Sequence, residues 1–492
     1  MAQCESDKFG IVVSVNSGSN KKILLSPKAW LVLISAYVLL LTLISTLNFP
    51  PQTFSDSASF RSGEGVSNFN WVSFSGATHG RGWPIILIYS ILNTDKERVL
   101  FQTTLYFLSI ALVANGLFRL RNKDAKYLFF AIGFLLIGTL KPLLMWNNYI
   151  SRESLSLTLV ILCVGQVILS KSVEDRNRSS LLFIANSITA TLAIIVKPIM
   201  IPFILLLMFY HLYFYNSNYR NRFVSKVRFI SVMLISLFMI SYGFWNSSNQ
   251  NIGWSKADPT GRTLQEISYS YVISDFNYNS IEFLSYLQNS NVSTCFVPNE
   301  PLDTSIELGL PMETAAKFRQ ECPTFSDWVK DEYLTNYLKY RLADPITSVM
   351  TVLKSFPGAF ALLGDGRAHS LVSDWLGNLL LFNIFSISKF SFIIIFCLNL
   401  MLCFLSMRIP NGLKRKRLSL NCLSPILLFY SLLLSVVTSA LLQPTHVADL
   451  SRQNYSANIL MRLIVVWQVL DLIFNQKVLK FLPARGININ ER

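Results

Sequence analysis

Long, uninterrupted apolar runs constrain this chain more than any other feature of its sequence. Ala29–Leu47 and Leu423–Leu442 are two examples, and each approaches the roughly 20 residues that a helix needs to cross a bilayer core. Strands of a membrane barrel would instead alternate apolar and polar residues. The runs therefore predict an all-α polytopic membrane protein.

Ten segments have the length and apolar character of spanning helices. They are Ala29–Leu47, Val99–Leu117, Leu128–Met145, Ser154–Leu169, Leu181–Val196, Ile199–Tyr215, Val227–Trp245, Phe390–Met407, Leu423–Leu442 and Asn458–Phe474. The stretch 181–215 is counted as two spans, because one helix of that length would measure about 50 Å and because Pro198 breaks a helix. The first run begins late and is too long for a cleaved signal peptide, so it is predicted to span.

Basic residues lie at every second junction between these spans. They precede the first span and follow the second, fourth, sixth, eighth and tenth, as Arg119 and the Lys414–Arg417 run illustrate. Cytoplasmic loops are enriched in Lys and Arg, so both termini are predicted to be cytoplasmic. The formal charge of +15 is then a topology signal, and no nucleic-acid partner is expected.

The remaining junctions are predicted to be extracytoplasmic, and two of them are large. An N-terminal transmembrane module (residues 1–245) contains the first outer loop (48–98), in which Trp83–Asn93 is expected to form a short helix in the membrane interface. An extracytoplasmic loop lobe (246–389) and a C-terminal transmembrane module (390–492) follow.

The seven cysteines do not have the spacing of a metal site. Cys163, Cys397 and Cys403 lie in apolar runs and are expected to be small buried side chains. Cys295 and Cys322 lie in the outer lobe, where the sequence is compatible with either a disulfide or two free thiols. No cluster of His and carboxylates predicts a metal, so the cofactor is left open.

Charged residues are scarce within the spans and collect at their predicted outer ends. A transporter usually has polar groups at mid-membrane on broken helices. The candidate site residues lie instead in outer loops and at outer helix ends: Asp56, Arg81, Arg152, Glu153, Lys197, His446, Asp449, Arg452 and Tyr455. This placement predicts a site for a substrate whose head group lies at the interface, such as a lipid-linked molecule.

Several of these residues also have a structural interpretation. Asp56 is either a general base for an acceptor hydroxyl or a solvated or helix-capping residue. Ser151 and Glu153 either stabilise the start of the fourth span, or Glu153 lines a cleft together with Arg152. Lys197 either extends to water or binds a lipid phosphate.

The loop before the last predicted span is the other polar candidate region. It contains His446, Asp449, Arg452 and Tyr455, and the last three would share one face of a helix. Arg452 is suited to binding a phosphate, and the alternative is an ion pair with Asp449. Arg81, which lies between two glycines, is a weaker candidate for the same role.

The order of these segments resembles that of the polytopic glycosyltransferases of the GT-C class, such as protein O-mannosyltransferases and lipid A aminoarabinose transferases. The similar features are the acidic residue after the first span (Asp56), Gly82–Leu87, Arg152–Leu155, Val196–Pro198, Ala343–Pro345 and Arg452–Tyr455. The resemblance covers most of the chain and rests on the order and placement of segments.

The resemblance implies a transferase of the cell inner (plasma) membrane that works among membrane lipids. It implies a polyprenyl-phosphate sugar donor and a glycan, lipid or protein acceptor on the extracytoplasmic face. Asp56 would be the catalytic base, and Lys197 and Arg452 would hold the donor phosphate; part of this class uses a divalent metal. An O-antigen-type polymerase or ligase, and a polysaccharide or lipid transporter (flippase), remain as alternatives.

Overall fold

The computed structural model describes the chain mainly between residues 23 and 256. The described residues are 11–13, 23–52, 83–120, 125–173, 175–217 and 223–256, with short helical pieces at 342, 345–346, 349–350, 397, 401, 455–456, 458–460, 462–463 and 465–466. Within this part, five helices are long and apolar enough to cross a membrane. The helical membrane character predicted from the sequence is thereby confirmed.

The described elements follow one another as a series of helices after one small strand pair. β1 (Ile11–Val13) pairs antiparallel with β2 (Ile23–Leu25). The α-helices are α1 (Pro27–Leu47), α2 (Trp83–Ile91), α3 (Asp95–Leu120), α4 (Ala125–Ile137), α5 (Lys141–Leu144), α6 (Arg152–Ser172), α7 (Arg176–Val196), α8 (Ile201–Ser217) and α9 (Phe223–Lys256). Two 3-10 helices are interposed, at Met145–Asn148 and Pro198–Met200.

Local sequence explains where two of the long helices begin. Ser26 caps α1, since its hydroxyl accepts the backbone N–H of Ala29 at 3.2 Å, and Pro27 occupies a position that needs no N–H. α3 begins with a capping box. The Thr94 hydroxyl accepts the N–H of Glu97 at 3.2 Å, and the Glu97 carboxylate accepts the N–H of Thr94 at 3.1 Å.

α6 is the central helix, and most of its apolar length is buried. It runs antiparallel to α7, where Gln166 donates to the Thr189 hydroxyl at 3.2 Å. Helices α1 and α9 are peripheral and expose apolar side chains such as Leu33 and Phe238. In a bilayer these exposed faces would contact lipid tails, and apolar side chains are as favourable there as in the protein interior.

α3 and α6 pack in parallel, and Gly116 permits their close approach. A Cβ at this position would lie 2.8 Å from Cγ2 of Ile168 and 3.4 Å from the backbone nitrogen of Leu169. Gly116→Ala is therefore expected to destabilise the protein by about 1–3 kcal/mol through overpacking, although Ala is the better helix former. Thermal unfolding of the purified protein in detergent measures the effect.

Gly133→Ala in α4 is the matched control for this prediction. A Cβ there would meet nothing within 4 Å, so the substitution is expected to be neutral or stabilising. Equal unfolding temperatures for the two alanine variants would contradict the assigned role of Gly116.

The predicted helix break at Lys197 and Pro198 is confirmed. α7 ends at Val196 and α8 begins at Ile201, with the 3-10 turn between them. The two helices then run antiparallel, since the Asn186 amide lies 2.9 Å from Nδ1 of His211.

The third predicted span, Leu128–Met145, is wrong in its C-terminal part, because α4 ends at Ile137. A continued helix would pair the Gly138 carbonyl with the N–H of residue 142, and Pro142 has none. The Tyr106 hydroxyl from α3 donates to that carbonyl instead, at 2.9 Å. A side chain 32 residues earlier in the chain thus stabilises the helix end.

Other boundaries differ less or stay untested. α2 matches the predicted interfacial helix, but its side chains are largely covered by protein, and α9 continues past the predicted span end at Trp245 to Lys256.

The expectation that the cysteines in apolar runs are buried holds for Cys163 and is wrong for Cys397, which is exposed. The outer lobe, Cys295, Cys322, Cys403 and most of the last three predicted spans lie outside the described residues.

Candidate functional site

The connection between α4 and α6 is buried although it is not a continuous helix. Its backbone carbonyls accept hydrogen bonds from side chains of other segments: Tyr106 to Gly138 (2.9 Å), Gln102 to Tyr149 (3.2 Å), Tyr89 to Ser151 (3.1 Å) and Tyr455 to Leu143 (3.2 Å). Buried backbone groups need such partners, above all within an apolar bundle. These contacts fix the position at which α6 begins.

Two ionisable side chains meet at this end of α6. Glu153 lies in its first turn, and Lys197 directly follows α7. Because α6 and α7 are antiparallel, both residues lie at the same end of the bundle, here called the Glu153 end. Nζ of Lys197 lies 3.9 Å from Oε1 of Glu153, and the two side chains are 1% and 2% exposed.

Arg152 is the third member of this group, here called the Glu153 cluster. Its Nε lies 3.8 Å from Oε1 of Glu153, and its side chain is 22% exposed. Both distances exceed those of charge-assisted hydrogen bonds. Glu153 therefore offsets the charge of two cations without a short contact to either one. Two cations and one carboxylate give Arg152, Glu153 and Lys197 a net charge of +1, which favours an anionic ligand.

Two structural interpretations of these residues are wrong. Lys197 is buried and does not extend to water. Ser151 occupies the N-cap position of α6, but its side chain makes no capping hydrogen bond. Glu153 does lie in the first turn, where a carboxylate also interacts favourably with the helix dipole.

Tyr89 in α2 lies beside the Glu153 cluster. Burial raises the pKa of the Tyr89 hydroxyl far above its ordinary value, the Glu153 carboxylate raises it further, and Arg98 acts in the opposite direction. The hydroxyl therefore stays protonated and donates to Ser151. Arg98 donates to the Tyr89 carbonyl at 2.9 Å and pairs with Asp95 at 2.6 Å, which holds α2 against α3.

Tyr455 brings the C-terminal region to the Glu153 end. Its ring centroid lies 5.6 Å from that of Trp146, and its side chain is fully buried. The hydroxyl of Ser456 lies 3.4 Å from that of Ser156, one turn below Glu153 on α6. The structure therefore brings Arg152, Glu153, Lys197 and Tyr455 to one end of the bundle.

The residues after α1 are hydrogen-bonded to the connection between α4 and α6. Gln52 forms a parallel bridge with Tyr149, in which its N–H donates to the Asn148 carbonyl at 2.8 Å and its carbonyl accepts the N–H of Ile150 at 3.1 Å. The other candidate residues lie outside the described part of the chain: Asp56, Arg81, His446, Asp449 and Arg452.

Sequence reasoning missed two buried polar groups. Arg462, in the last predicted span, is fully buried and interacts electrostatically with Tyr455. His211 and Asn186 are buried between α7 and α8. A single Arg within an apolar run was the available signal, because ionisable residues in spanning helices face the protein interior.

The described residues include no group of three or more His, Cys, Asp or Glu side chains that would hold a metal ion. The Glu153 cluster places two cations beside one carboxylate. No family model, curated protein or solved structure matches this chain.

Proposed function

We propose that this chain is a glycosyltransferase of the cell inner (plasma) membrane. It moves a sugar from a polyprenyl-phosphate-linked donor to a glycan, lipid or protein acceptor on the extracytoplasmic face. The observation that carries the proposal is the buried Glu153 cluster at the end of a bundle of apolar helices.

The burial of Lys197 beside the partly exposed Arg152 supports an anionic substrate at this end. Ions removed from water cost free energy unless other groups compensate them, and in spanning helices they usually mark a functional site. The cluster lies at a helix end, within reach of a head group at the bilayer surface. Lys197 and Arg152 have the charge to hold a phosphate there.

Charge asymmetry along the chain supports an extracytoplasmic position for this end. The opposite ends of α6 and α7 carry Lys171, Arg176 and Arg178, which favour the cytoplasm. A lipid-linked donor at the Glu153 end would keep its prenyl chain in the bilayer and its sugar outside.

The reaction is a displacement at the anomeric carbon. Asp56 accepts the proton of the acceptor hydroxyl, whose oxygen forms the new bond to that carbon. The bond between the carbon and the phosphate oxygen breaks, and the phosphate keeps the electron pair. Lys197 and Arg152 stabilise the negative charge that develops on the leaving phosphate.

Chain connectivity supports the assignment of Asp56. Gln52 is bonded to the segment that immediately precedes Arg152, and Asp56 follows it by four residues. Four residues of chain extend at most roughly 14 Å, at about 3.6 Å per residue. Arg452 precedes Tyr455, whose hydroxyl donates to the Leu143 carbonyl, by three residues.

The test compares the surface glycans, glycolipids and glycoproteins of cells with and without the protein by mass spectrometry. A product that is heavier by one sugar residue is expected only in the presence of the protein. Lys197→Gln should remove that product. Arg178→Gln is the matched control, because Arg178 is 75% exposed at the opposite end of the bundle and should retain it.

Other outcomes would replace the proposal. A change in glycan chain length without a single-sugar product would indicate a polymerase or ligase. Movement of a lipid-linked glycan across vesicles without any covalent product would indicate a transporter.

A further inference from the structure

We propose that Tyr89 of α2 is a positioning residue that holds the start of α6 in the orientation in which Arg152 and Lys197 bind the donor phosphate. The inference rests on the proposed function, which assigns the phosphate to these two cations. Tyr89 is fully buried and acts through the backbone that precedes Arg152. Loss of its hydroxyl is therefore expected to weaken binding of the donor without changing the rate at which bound donor reacts.

The Tyr89 hydroxyl contacts the peptide group from which Arg152 starts. It donates to the Ser151 carbonyl at 3.1 Å, and Ser151 is the residue directly before Arg152. A peptide group is planar, so the carbonyl of Ser151 lies in one plane with the nitrogen and the Cα of Arg152. A hydrogen bond to that carbonyl therefore restrains the direction in which the Arg152 side chain leaves the backbone.

The first turn of α6 depends on tertiary contacts because it lacks a side-chain cap. Ser151 occupies the N-cap position, but its side chain makes no capping hydrogen bond, and an absent cap costs a helix stability at this end. The Ser154 hydroxyl donates to Oδ1 of Asn147, which is one restraint on this turn. The Tyr89 hydroxyl supplies another, directly before Arg152. Loss of the Tyr89 hydroxyl alone should therefore leave α6 folded and its first turn less restrained.

Contacts with α3 hold Tyr89 in place. α2 has nine residues, too few to be stable as an isolated helix. Nε of Arg98 in α3 donates to the Tyr89 carbonyl at 2.9 Å, and Arg98 also pairs with Asp95 at 2.6 Å. Tyr89 is thus bonded at its carbonyl to α3 and at its hydroxyl to the residue before α6. A displacement of the start of α6 relative to α3 would disturb one of these two contacts.

The position of α6 matters because the two cations belong to different helices. Glu153 lies 3.8 Å from Nε of Arg152 and 3.9 Å from Nζ of Lys197, and its negative charge also acts on the Tyr89 hydroxyl. A shift of the first turn of α6 would move Arg152 and Glu153 together, whereas Lys197 follows the end of α7. The distance between the two cations would then change, and with it their fit to one phosphate.

The test is Tyr89→Phe, which removes the hydroxyl and keeps the ring. Binding of undecaprenyl phosphate to the purified full chain is measured by quenching of tryptophan fluorescence, and the rate of sugar transfer is measured against donor concentration. The dissociation constant of undecaprenyl phosphate and the KM for the donor should both rise about 3- to 10-fold, the factor that one hydrogen bond supplies. The value of kcat should stay within about twofold of the wild type, because binding is weakened equally in the ground state and the transition state.

Tyr106→Phe is the matched control. Tyr106 is also fully buried, and it donates at 2.9 Å to the carbonyl of Gly138 in the same connection. Gly138 lies at the α4 end of the connection and not beside Arg152. Both variants should lower the unfolding temperature by a similar amount, but Tyr106→Phe should keep the wild-type dissociation constant and KM. An equal loss of binding in the two variants would reduce the role of Tyr89 to stability and overturn the inference.

A second variant decides the question if Tyr89→Phe does not fold. Arg98→Met keeps a long side chain but releases the Tyr89 carbonyl. It should weaken binding of undecaprenyl phosphate in the same direction. Unchanged binding by this folded variant would overturn the inference, and so would a folded wild-type protein that binds no undecaprenyl phosphate.

The measurements also separate this inference from the proposed function. Binding of undecaprenyl phosphate that is weaker in Tyr89→Phe than in Tyr106→Phe, in a protein that transfers no sugar, would support the role of Tyr89 at a phosphate site and contradict the proposed function alone. Sugar transfer with the same KM and dissociation constant in the wild type and Tyr89→Phe would contradict only the role of Tyr89.

Discussion

Lys197→Met is expected to lower the free energy of unfolding by about 3–5 kcal/mol and to abolish sugar transfer. The loss of stability follows from the burial of Glu153, which would keep its charge while losing one of its two cationic partners. The loss of activity follows from the proposed role of Lys197 in holding the donor phosphate. Equilibrium unfolding in detergent and a sugar-transfer assay measure the two effects.

The double variant Glu153→Gln/Lys197→Met separates stability from function. It removes both buried charges, so it should recover most of the stability that either single variant loses. Its transfer activity should stay absent, because the phosphate ligand is still missing. A double variant that is as unstable as the sum of the single variants would contradict the pairing.

Arg178→Gln provides the matched comparison for this cycle. Arg178 also pairs with a carboxylate at a helix end, at 3.5 Å from Asp175, but both side chains are largely exposed. Exposed ion pairs contribute about 0–1 kcal/mol. A loss of stability as large as that of Lys197→Met would show that burial is not the cause.

Features that depend on nearby residues were predictable from the sequence. The long apolar helices follow from runs of side chains that are contiguous in sequence, and five such helices are present in the described part. The break between α7 and α8 follows from Pro198, which acts on its own helix. For Glu153 and Lys197 the sequence predicted only that both lie at the same membrane face. That prediction came from the basic residues of the alternate loops.

Features that depend on distant residues were not predictable in this way. Pro142 leaves the Gly138 carbonyl without a helical partner, but the Tyr106 hydroxyl that stabilises this helix end comes from another helix, and hydropathy alone continues the span to Met145. Tyr89 and Arg98 reach the site through contacts across α2 and α3. The burial of Lys197 depends on its ion pair with Glu153, which neither segment shows by itself.

Asp56→Asn is expected to lower the rate of sugar transfer by about 100- to 10,000-fold, the range typical for loss of a general base. Asparagine has nearly the same shape but does not accept the proton of the acceptor hydroxyl. The amount of protein in the membrane should stay that of the wild type. A transfer assay with a polyprenyl-phosphate sugar, normalised to that amount, measures the effect.

Two further variants make this prediction specific to the carboxylate. Asp56→Glu keeps the base but moves it by one methylene, so it should retain partial activity, since misplacement of a catalytic group is costly but not equivalent to its absence. Asp175→Asn removes a carboxylate at the opposite end of the bundle and should transfer sugar normally. Gln52, four residues before Asp56 in the sequence, is bonded to the segment that precedes Arg152. Full activity of Asp56→Asn would exclude this residue as the base and direct the search to the other outer-loop carboxylate among the candidate residues, Asp449.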